Sequence, residues 1–162
     1  MDIKKSMQDA FNAQIVEEMY ASNLYLQMSF WFRKEGWEGF AKWMAAQSDE
    51  EKGHAMDMAN FVINRGGHVE LKAIPSVPTE WKDAKDVFEQ AMKHEQHVSQ
   101  LIYNLAEKAD EEKDRTASNF CDKYVDEQME EEKSMRDILN YFRHRDGSAV
   151  AEIDEKLGGV RV

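Results

Sequence analysis

The residues in this chain best suited to chemistry are four glutamates, each near the middle of a separate stretch whose apolar residues recur at helical spacing. They are Glu18, Glu51, Glu95 and Glu131. His54 follows Glu51 by three residues and Gln128 precedes Glu131 by three, so each shares a helix face with its glutamate. No lysine or arginine lies on the four apolar stripes. The pattern predicts that acidic groups meet inside a helical bundle.

Four carboxylates in a bundle core require compensation. Burying an unpaired charge costs several kcal/mol, and neighbouring like charges raise the pKa of each carboxyl group. Shared protons or bound cations are the two physical solutions, and four carboxylates balance two divalent ions. Oxygen ligands with one imidazole suit iron or manganese better than copper, and zinc is left open. The alternative, solvated charges beside an apolar seam, is disfavoured by four coincidences at mid-helix.

Four long helices and a short fifth are predicted to position these side chains. They span approximately residues 3–34, 37–65, 83–112, 116–145 and 148–157. Gly66-Gly67 and the only two prolines, Pro75 and Pro78, interrupt the chain between the second and third helices. The connections between the first and second helices and between the third and fourth are short, so each of these two pairs is antiparallel. We predict an all-α antiparallel four-helix bundle with a long crossover, built as a single domain over residues 1–162.

The overall charge limits the classes of partner. With 21 basic and 32 acidic residues, the chain carries a net charge of −11. This balance disfavours nucleic acid and anionic membranes and suits cations. A single cysteine excludes a disulfide framework and a four-thiolate zinc or iron–sulfur site. No apolar run approaches the ~20 residues of a membrane-spanning helix, and the first residues lead into no signal-peptide core, so we expect a soluble, cytoplasmic protein.

The sequence resembles the ferritin superfamily, and most closely the bacterial non-haem ferritins, over essentially the whole chain. Four motifs carry the resemblance: Glu18-Met19-Tyr20 with Leu24-Tyr25, Glu50-Glu51-Lys52-Gly53-His54, Lys93-His94-Glu95-Gln96, and the run from Tyr124 through Gln128 and Glu131 to Glu132. The last motif is the most specific. The resemblance implies a ferritin-like bundle with a long crossover between the second and third helices and a short fifth helix at the C-terminus.

The resemblance also implies a di-iron ferroxidase centre. In it, Glu18, Glu51 and His54 hold one iron, and Glu51 bridges to the second. Glu95 and Glu131 hold the second iron. Zn²⁺ and Mn²⁺ are alternative occupants of the same ligands.

Further residues acquire roles only through the resemblance. Gln128 lies close to the site where dioxygen binds, and Tyr25 lies beside the di-iron centre and can supply an electron. A third iron site shares Glu131 and is completed by Glu50, Glu127 and Glu130. The alternative for these three residues is a solvated acidic helix face, which acidic runs commonly form.

Differences between this sequence and other di-iron families argue against several of those families. Many di-iron bundles carry a second Glu-x-x-His pair on the fourth helix, where this chain has Gln128 and Glu131, which argues against bacterioferritin and rubrerythrin. Lys52 stands where bacterioferritin has its haem-ligating methionine, so no haem is expected. The single Cys121 excludes a rubredoxin-like iron module.

The function that the resemblance implies is iron storage with ferroxidase activity. Fe²⁺ is oxidised to Fe³⁺ by O₂ or H₂O₂, and the ferric mineral is kept inside a hollow homo-oligomeric shell of 24 subunits, whose four-fold contacts the fifth helix lines. Two alternatives stay open. One is a non-catalytic, acidic, metal-buffering helical bundle, and the other is a di-iron oxidase or peroxidase without a storage role.

Overall fold

Five helices make up the secondary structure of the computed structural model, which describes residues 1–144 and 150–160. They are α1 (Lys5–Glu35), α2 (Glu38–Asn64), α3 (Ala84–Glu111), α4 (Arg115–His144) and α5 (Val150–Val160). These residues contain no strand, so the predicted all-α class is confirmed. Within the same ranges, no helix is long and apolar enough to cross a membrane.

The predicted helix bounds agree with the structure to within a few residues, and α5 shows the largest difference. The predicted end of the fourth helix at 145 and start of the fifth at 148 lie outside the described residues. At its other end, α5 was expected to stop at 157 but continues through Gly158 and Gly159 to Val160. A Cβ atom on Gly158 would lie 3.1 Å from the Cα atom of Gly39, so the absence of side chains on Gly158 and Gly39 lets α5 cross closely over α2. The packing offsets the roughly 1 kcal/mol that a glycine costs within a helix.

Local capping sets where the helices begin and end. The Asp83 side chain accepts a hydrogen bond from the backbone N–H of Asp86 (2.8 Å) at the start of α3. Asp114 accepts one from the N–H of Ala117 (3.0 Å) at the start of α4. Gly36 ends α1 in the left-handed conformation (φ 89°), which glycine adopts without strain. These caps define the ends of α1, α3 and α4.

The helices pair in the predicted antiparallel sense. Ser22 Oγ donates to the carbonyl oxygen of Ser48 (2.9 Å), and Ser29 Oγ donates to that of Ala41 (2.7 Å). As the numbering rises along α1 it therefore falls along α2. Helices α3 and α4, joined through residues 112–114, form the second closely packed pair.

The long crossover between α2 and α3 follows α1 for most of its length. Asn12 Nδ2 donates to the carbonyl oxygen of His68 (3.0 Å) near one end of α1. Near the other end, the indole rings of Trp31 and Trp81 meet edge to face with centroids 6.0 Å apart. The predicted long crossover is therefore confirmed.

The core consists of two apolar clusters separated by a polar layer. One cluster contains the buried aromatic residues Phe32, Phe40, Trp43 and Phe88. The other contains Phe11, Ile15, Met58, Val98 and Ile102. The buried polar residues between them are Gln14, Glu18, Gln47, Glu51, His54, Glu95, Gln128 and Glu131. Because apolar contacts hold the bundle at both ends of this layer, the fold can keep a charged layer at its middle.

Candidate metal centre

The four seam glutamates all lie in the polar layer, one on each of the long helices. Each glutamate is buried, with at most 6% of its surface exposed. The antiparallel pairing brings mid-helix positions to one height, so the side chains point into the same region of the core. The prediction that these carboxylates are buried seam residues is therefore confirmed, and the alternative of solvated charges is wrong.

Glu18, Glu51 and His54 form the most compact part of this layer. Each offers one ligand atom, and these atoms lie within 4.8 Å of one another; no other such group of histidine, cysteine or acidic residues occurs within 1–144 and 150–160. His54 Nδ1 lies 3.3 Å from Glu51 Oε2 and 3.7 Å from Glu18 Oε2.

Hydrogen bonding in this group is incomplete. Gln14 Nε2 donates to Glu18 Oε1 (3.3 Å). Among the described residues, neither oxygen of Glu51 nor Oε2 of Glu18 has a hydrogen bond of normal geometry. Buried polar atoms are almost always hydrogen-bonded. Oxygen atoms left over in a buried acidic group are typical of a site that receives a cation.

The proton on His54 balances charge in the metal-free protein. Burial opposes a charged imidazole, but the contacts with Glu18 and Glu51 outweigh it and raise the pKa of His54 to about 12. Burial also acts to raise the pKa of Glu18, yet its contacts with His54, Glu51 and Gln14 hold it below its usual value. The pKa of Glu51 lies well above its ordinary value, because burial and the charges of Glu18 and Glu95 outweigh the contact with His54. A cation that enters this group must displace protons.

Glu95 and Glu131 form the other half of the layer and are held by hydrogen-bond donors. The Tyr25 hydroxyl donates to Glu95 Oε1, and Gln128 Nε2 donates to Glu95 Oε2 (3.1 Å). Gln47 Nε2 donates to Glu131 Oε2 (2.8 Å). These contacts orient both carboxylates from outside the Glu18–Glu51–His54 group.

In this half of the layer, burial and neighbouring negative charges favour the protonated, neutral forms of Glu95, Glu131 and Tyr25. Burial raises the pKa of Glu95 despite the hydrogen bonds from Tyr25 and Gln128. Burial, with the charge of Glu95 next in size, raises the pKa of Glu131 to about 8. Burial and the same Glu95 charge raise the pKa of Tyr25 well above its ordinary value, so its hydroxyl keeps its proton. The metal-free layer therefore holds several protons that cations could replace.

Comparison with known proteins identifies the family. The family model of the ferritin-like domain matches residues 8–144. The chain belongs to the ferritin family. It is 44% identical over 156 residues to a bacterial non-haem ferritin of Bacteroides fragilis, which covers 96% of this chain and 98% of the relative. A bacterial non-haem ferritin of Staphylococcus aureus is 32% identical over 98% of this chain and 96% of its own length.

Solved ferritin structures have the same fold. An open-pore ferritin from the archaeon Archaeoglobus fulgidus is 41% identical, covers 96% of each chain and superposes with a TM-score of 0.93. A form of the Archaeoglobus fulgidus ferritin engineered to be closed gives a TM-score of 0.94 at 41% identity, covering 97% of each chain. The ferritin-like bundle with a short fifth helix, the family and the prediction of an iron-storage ferritin are thereby confirmed.

Among the described residues, the acidic residues expected at a third site do not form a compact ligand group. Glu50 is half-buried and close enough to Glu131 to act on its pKa. The Glu127 side chain is 39% exposed and contacts the Nε2 atom of His54 at 2.9 Å. Glu130 is exposed.

Sequence reasoning gave no role to several residues that contact the centre. Gln47 lies four residues before Glu51 on the same stripe, so its polar side chain on an apolar seam was the available signal. Ser99 Oγ accepts from Gln128 Nε2 (3.1 Å) and donates to Glu132 Oε2 (2.6 Å). No spacing rule identifies that bridge, because it joins residues of two helices.

Proposed function

We propose that this ferritin oxidises Fe²⁺ at a di-iron centre inside each subunit and stores the ferric product in a hollow homo-oligomeric shell. The observation that carries the proposal is the buried group of Glu18, Glu51 and His54, whose carboxylate oxygens include three without a normal hydrogen bond among the described residues. Hard oxygen ligands with one imidazole suit iron, and Zn²⁺ or Mn²⁺ as substitutes.

The two ferrous ions are the substrate, and the seam glutamates are the proposed ligands. Glu18 and His54 bind the first ion, and Glu51 bridges the pair. Both oxygens of Glu51 lack a normal hydrogen bond among the described residues, which leaves one for each ion. Glu95 and Glu131 bind the second ion. Ligation removes the like-charge repulsion that raises the pKa values of these carboxyl groups.

Two further residues are proposed to take part in the oxidation. Gln128 holds Glu95 through its amide and lies next to the position of the oxidant. Tyr25 donates to the same carboxylate and can supply an electron. Two Fe²⁺ ions lose two electrons, which reduce one O₂ with two protons to H₂O₂, or reduce one H₂O₂ with two protons to two waters.

A third iron site is proposed on the side of the centre where Glu50 approaches Glu131. Glu127 and Glu130 are the other proposed ligands of this site. It would receive an ion between the di-iron centre and the stored mineral. Because Glu130 is exposed and Glu127 half-exposed, this ion would be more accessible to solvent than the first two.

The shell of 24 subunits, built from a single domain of residues 1–162, is the proposed assembly. Several large apolar side chains are exposed on one subunit and are candidates for burial between subunits. They are Leu26, Phe30, Ile63 and Leu71. The net charge of −11 favours attraction of Fe²⁺ to such a particle. A cytoplasmic location stays a prediction.

Stopped-flow absorbance with oxygen uptake, after addition of two Fe²⁺ per metal-free subunit, tests the proposal. We expect rapid oxidation that Glu51→Ala abolishes while particle size is unchanged. Glu107→Ala, which removes an exposed glutamate of α3, is the matched control and should oxidise iron at the normal rate. Wild-type oxidation no faster than buffer would favour a metal buffer. Rapid oxidation by a particle that retains no ferric iron would favour an oxidase without storage.

A further inference from the structure

The two ring nitrogens of His54 face different carboxylates. Nδ1 points to Glu51 and Glu18, inside the candidate centre. Nε2 points the other way and lies 2.9 Å from Oε1 of Glu127, which comes from α4. Only Nδ1 can therefore bind an ion that Glu18 and Glu51 also bind.

An imidazole that binds a metal through one nitrogen must carry its remaining proton on the other. A carboxylate that accepts a hydrogen bond from the outer nitrogen fixes this tautomer, orients the ring and makes the inner nitrogen a stronger donor to the metal. Glu127 occupies the place of that carboxylate on His54. When an ion is bound at Nδ1, Glu127 would accept the hydrogen bond from the remaining proton on Nε2.

Aromatic packing keeps the His54 ring in the orientation that this contact requires. The ring of Tyr124 meets the His54 ring edge to face, with centroids 5.1 Å apart. The Tyr124 hydroxyl donates to Asp57 Oδ2 (3.1 Å), on the same helix as His54. The His54 side chain is 9% exposed, so its ring has little space in which to turn.

We propose that Glu127 is a positioning residue for His54, in addition to any contact with a third ion. The inference rests on the proposed function, because it concerns the same centre. Two roles of the Glu127 side chain can then be distinguished by experiment. A residue that positions His54 changes the affinity for the first ion, whereas a ligand of the third site changes only the affinity for a later ion.

Titration with Co²⁺ distinguishes these roles, because its visible absorption reports the ligand set and it is not oxidised under the conditions of the titration. The metal-free assembled protein would be titrated as wild type, Glu127→Gln and Glu127→Ala. Asp126→Asn is the matched control, since it removes one negative charge at the adjacent exposed position of α4. His54→Ala identifies the step in the titration that involves the imidazole.

We expect Glu127→Ala to weaken binding of the first Co²⁺ by roughly 10–100-fold and to change its absorption, as loss of such an outer partner commonly does. Glu127→Gln should recover part of this loss, because its amide oxygen still accepts from Nε2–H without a charge. The control should bind as wild type does.

Normal first-ion affinity in both Glu127 variants, with weakening only of a later ion, would overturn the inference. This outcome is distinct from failure of the proposed function, because Co²⁺ binding requires no oxidation. If His54→Ala also left the first step unchanged, the proposed ligand set itself would be wrong.

Discussion

Replacing Glu131 by glutamine should stabilise the metal-free protein, although it removes a proposed iron ligand. In the folded chain the pKa of Glu131 is raised from 4.5 to about 8, first by burial and then by the charge of Glu95. Ionisation at pH 7 stabilises an unfolded carboxyl of ordinary pKa by about 3 kcal/mol, at 1.36 kcal/mol per pH unit. The folded state gains almost none of this ionisation free energy, because Glu131 stays protonated at pH 7. Glutamine is neutral in both the folded and the unfolded state, so the variant avoids this difference in stability. Its amide oxygen can still accept the hydrogen bond from Gln47.

The predicted gain depends on pH in a defined direction. Between pH 4.5 and pH 8 the folded state binds more protons at Glu131 than the unfolded state does. Glu131 therefore makes the wild type lose stability as the pH rises through this window, and the variant lacks this contribution. We expect a stabilisation of about 3 kcal/mol at pH 7 that falls below about 1 kcal/mol at pH 5.

Thermal unfolding of chelator-treated protein at pH 5 and pH 7 measures this effect. For a chain of this length, about 3 kcal/mol corresponds to a rise in Tm of roughly 6–12 °C at pH 7. Glu107→Gln, at an exposed position of α3, should leave Tm unchanged at both values. A Glu131→Gln protein that is less stable than wild type, or equally stabilised at both pH values, would refute the reasoning that burial raises this pKa.

Two further predictions concern protons and the end of the bundle. Because the contacts with Glu18 and Glu51 raise the pKa of His54 to about 12, Zn²⁺ binding near neutral pH should release at least one proton per subunit. Calorimetry in buffers of different ionisation enthalpy measures this number, and the His54→Ala variant should release fewer protons. Arg65→Ala should cost roughly 1–3 kcal/mol in denaturant unfolding, because the carboxylate of Asp114, 2.8 Å from Arg65 Nη1, loses its charged partner and keeps only the hydrogen bond from the N–H of Ala117. An Arg65→Ala protein as stable as wild type would mean that water solvates Asp114 effectively.

The sequence was sufficient to predict the helices and the seam glutamates, because both depend on periodicity along one chain segment. Glu18 and Glu95 each stand on an apolar stripe, and burial of the stripe carries the carboxylate into the core. The crossover was predictable for a similar reason, since Pro75 and Pro78 exclude a helix between α2 and α3. The interpretation of the buried glutamates as a candidate metal centre required the resemblance as well, because residue spacing predicts a helix face but not the residues that other helices bring to it.

The spacing of residues along one helix does not predict which residues of other helices they contact. Nothing local to Glu127 shows that its carboxylate lies on the outer nitrogen of His54, because that contact depends on the relative height and rotation of α2 and α4. The extension of α5 through Gly158 was missed for the same reason. Gly158 and Gly159 together are typical of a helix end, whereas the close crossing over Gly39 makes Gly158 a requirement of packing.

The arrangement of the core explains how the bundle can hold an acidic centre that opposes its own folding. The apolar clusters lie on either side of the polar layer and contain different residues, with Phe32 and Phe88 in one and Phe11 and Ile102 in the other. Helix register is therefore set at both ends, independently of the carboxylates between them. Protons on His54 and Glu131 lessen the repulsion in the metal-free state, and cations would replace them. A fold organised in this way should stay folded after the loss of any one ligand, even where that loss changes its stability.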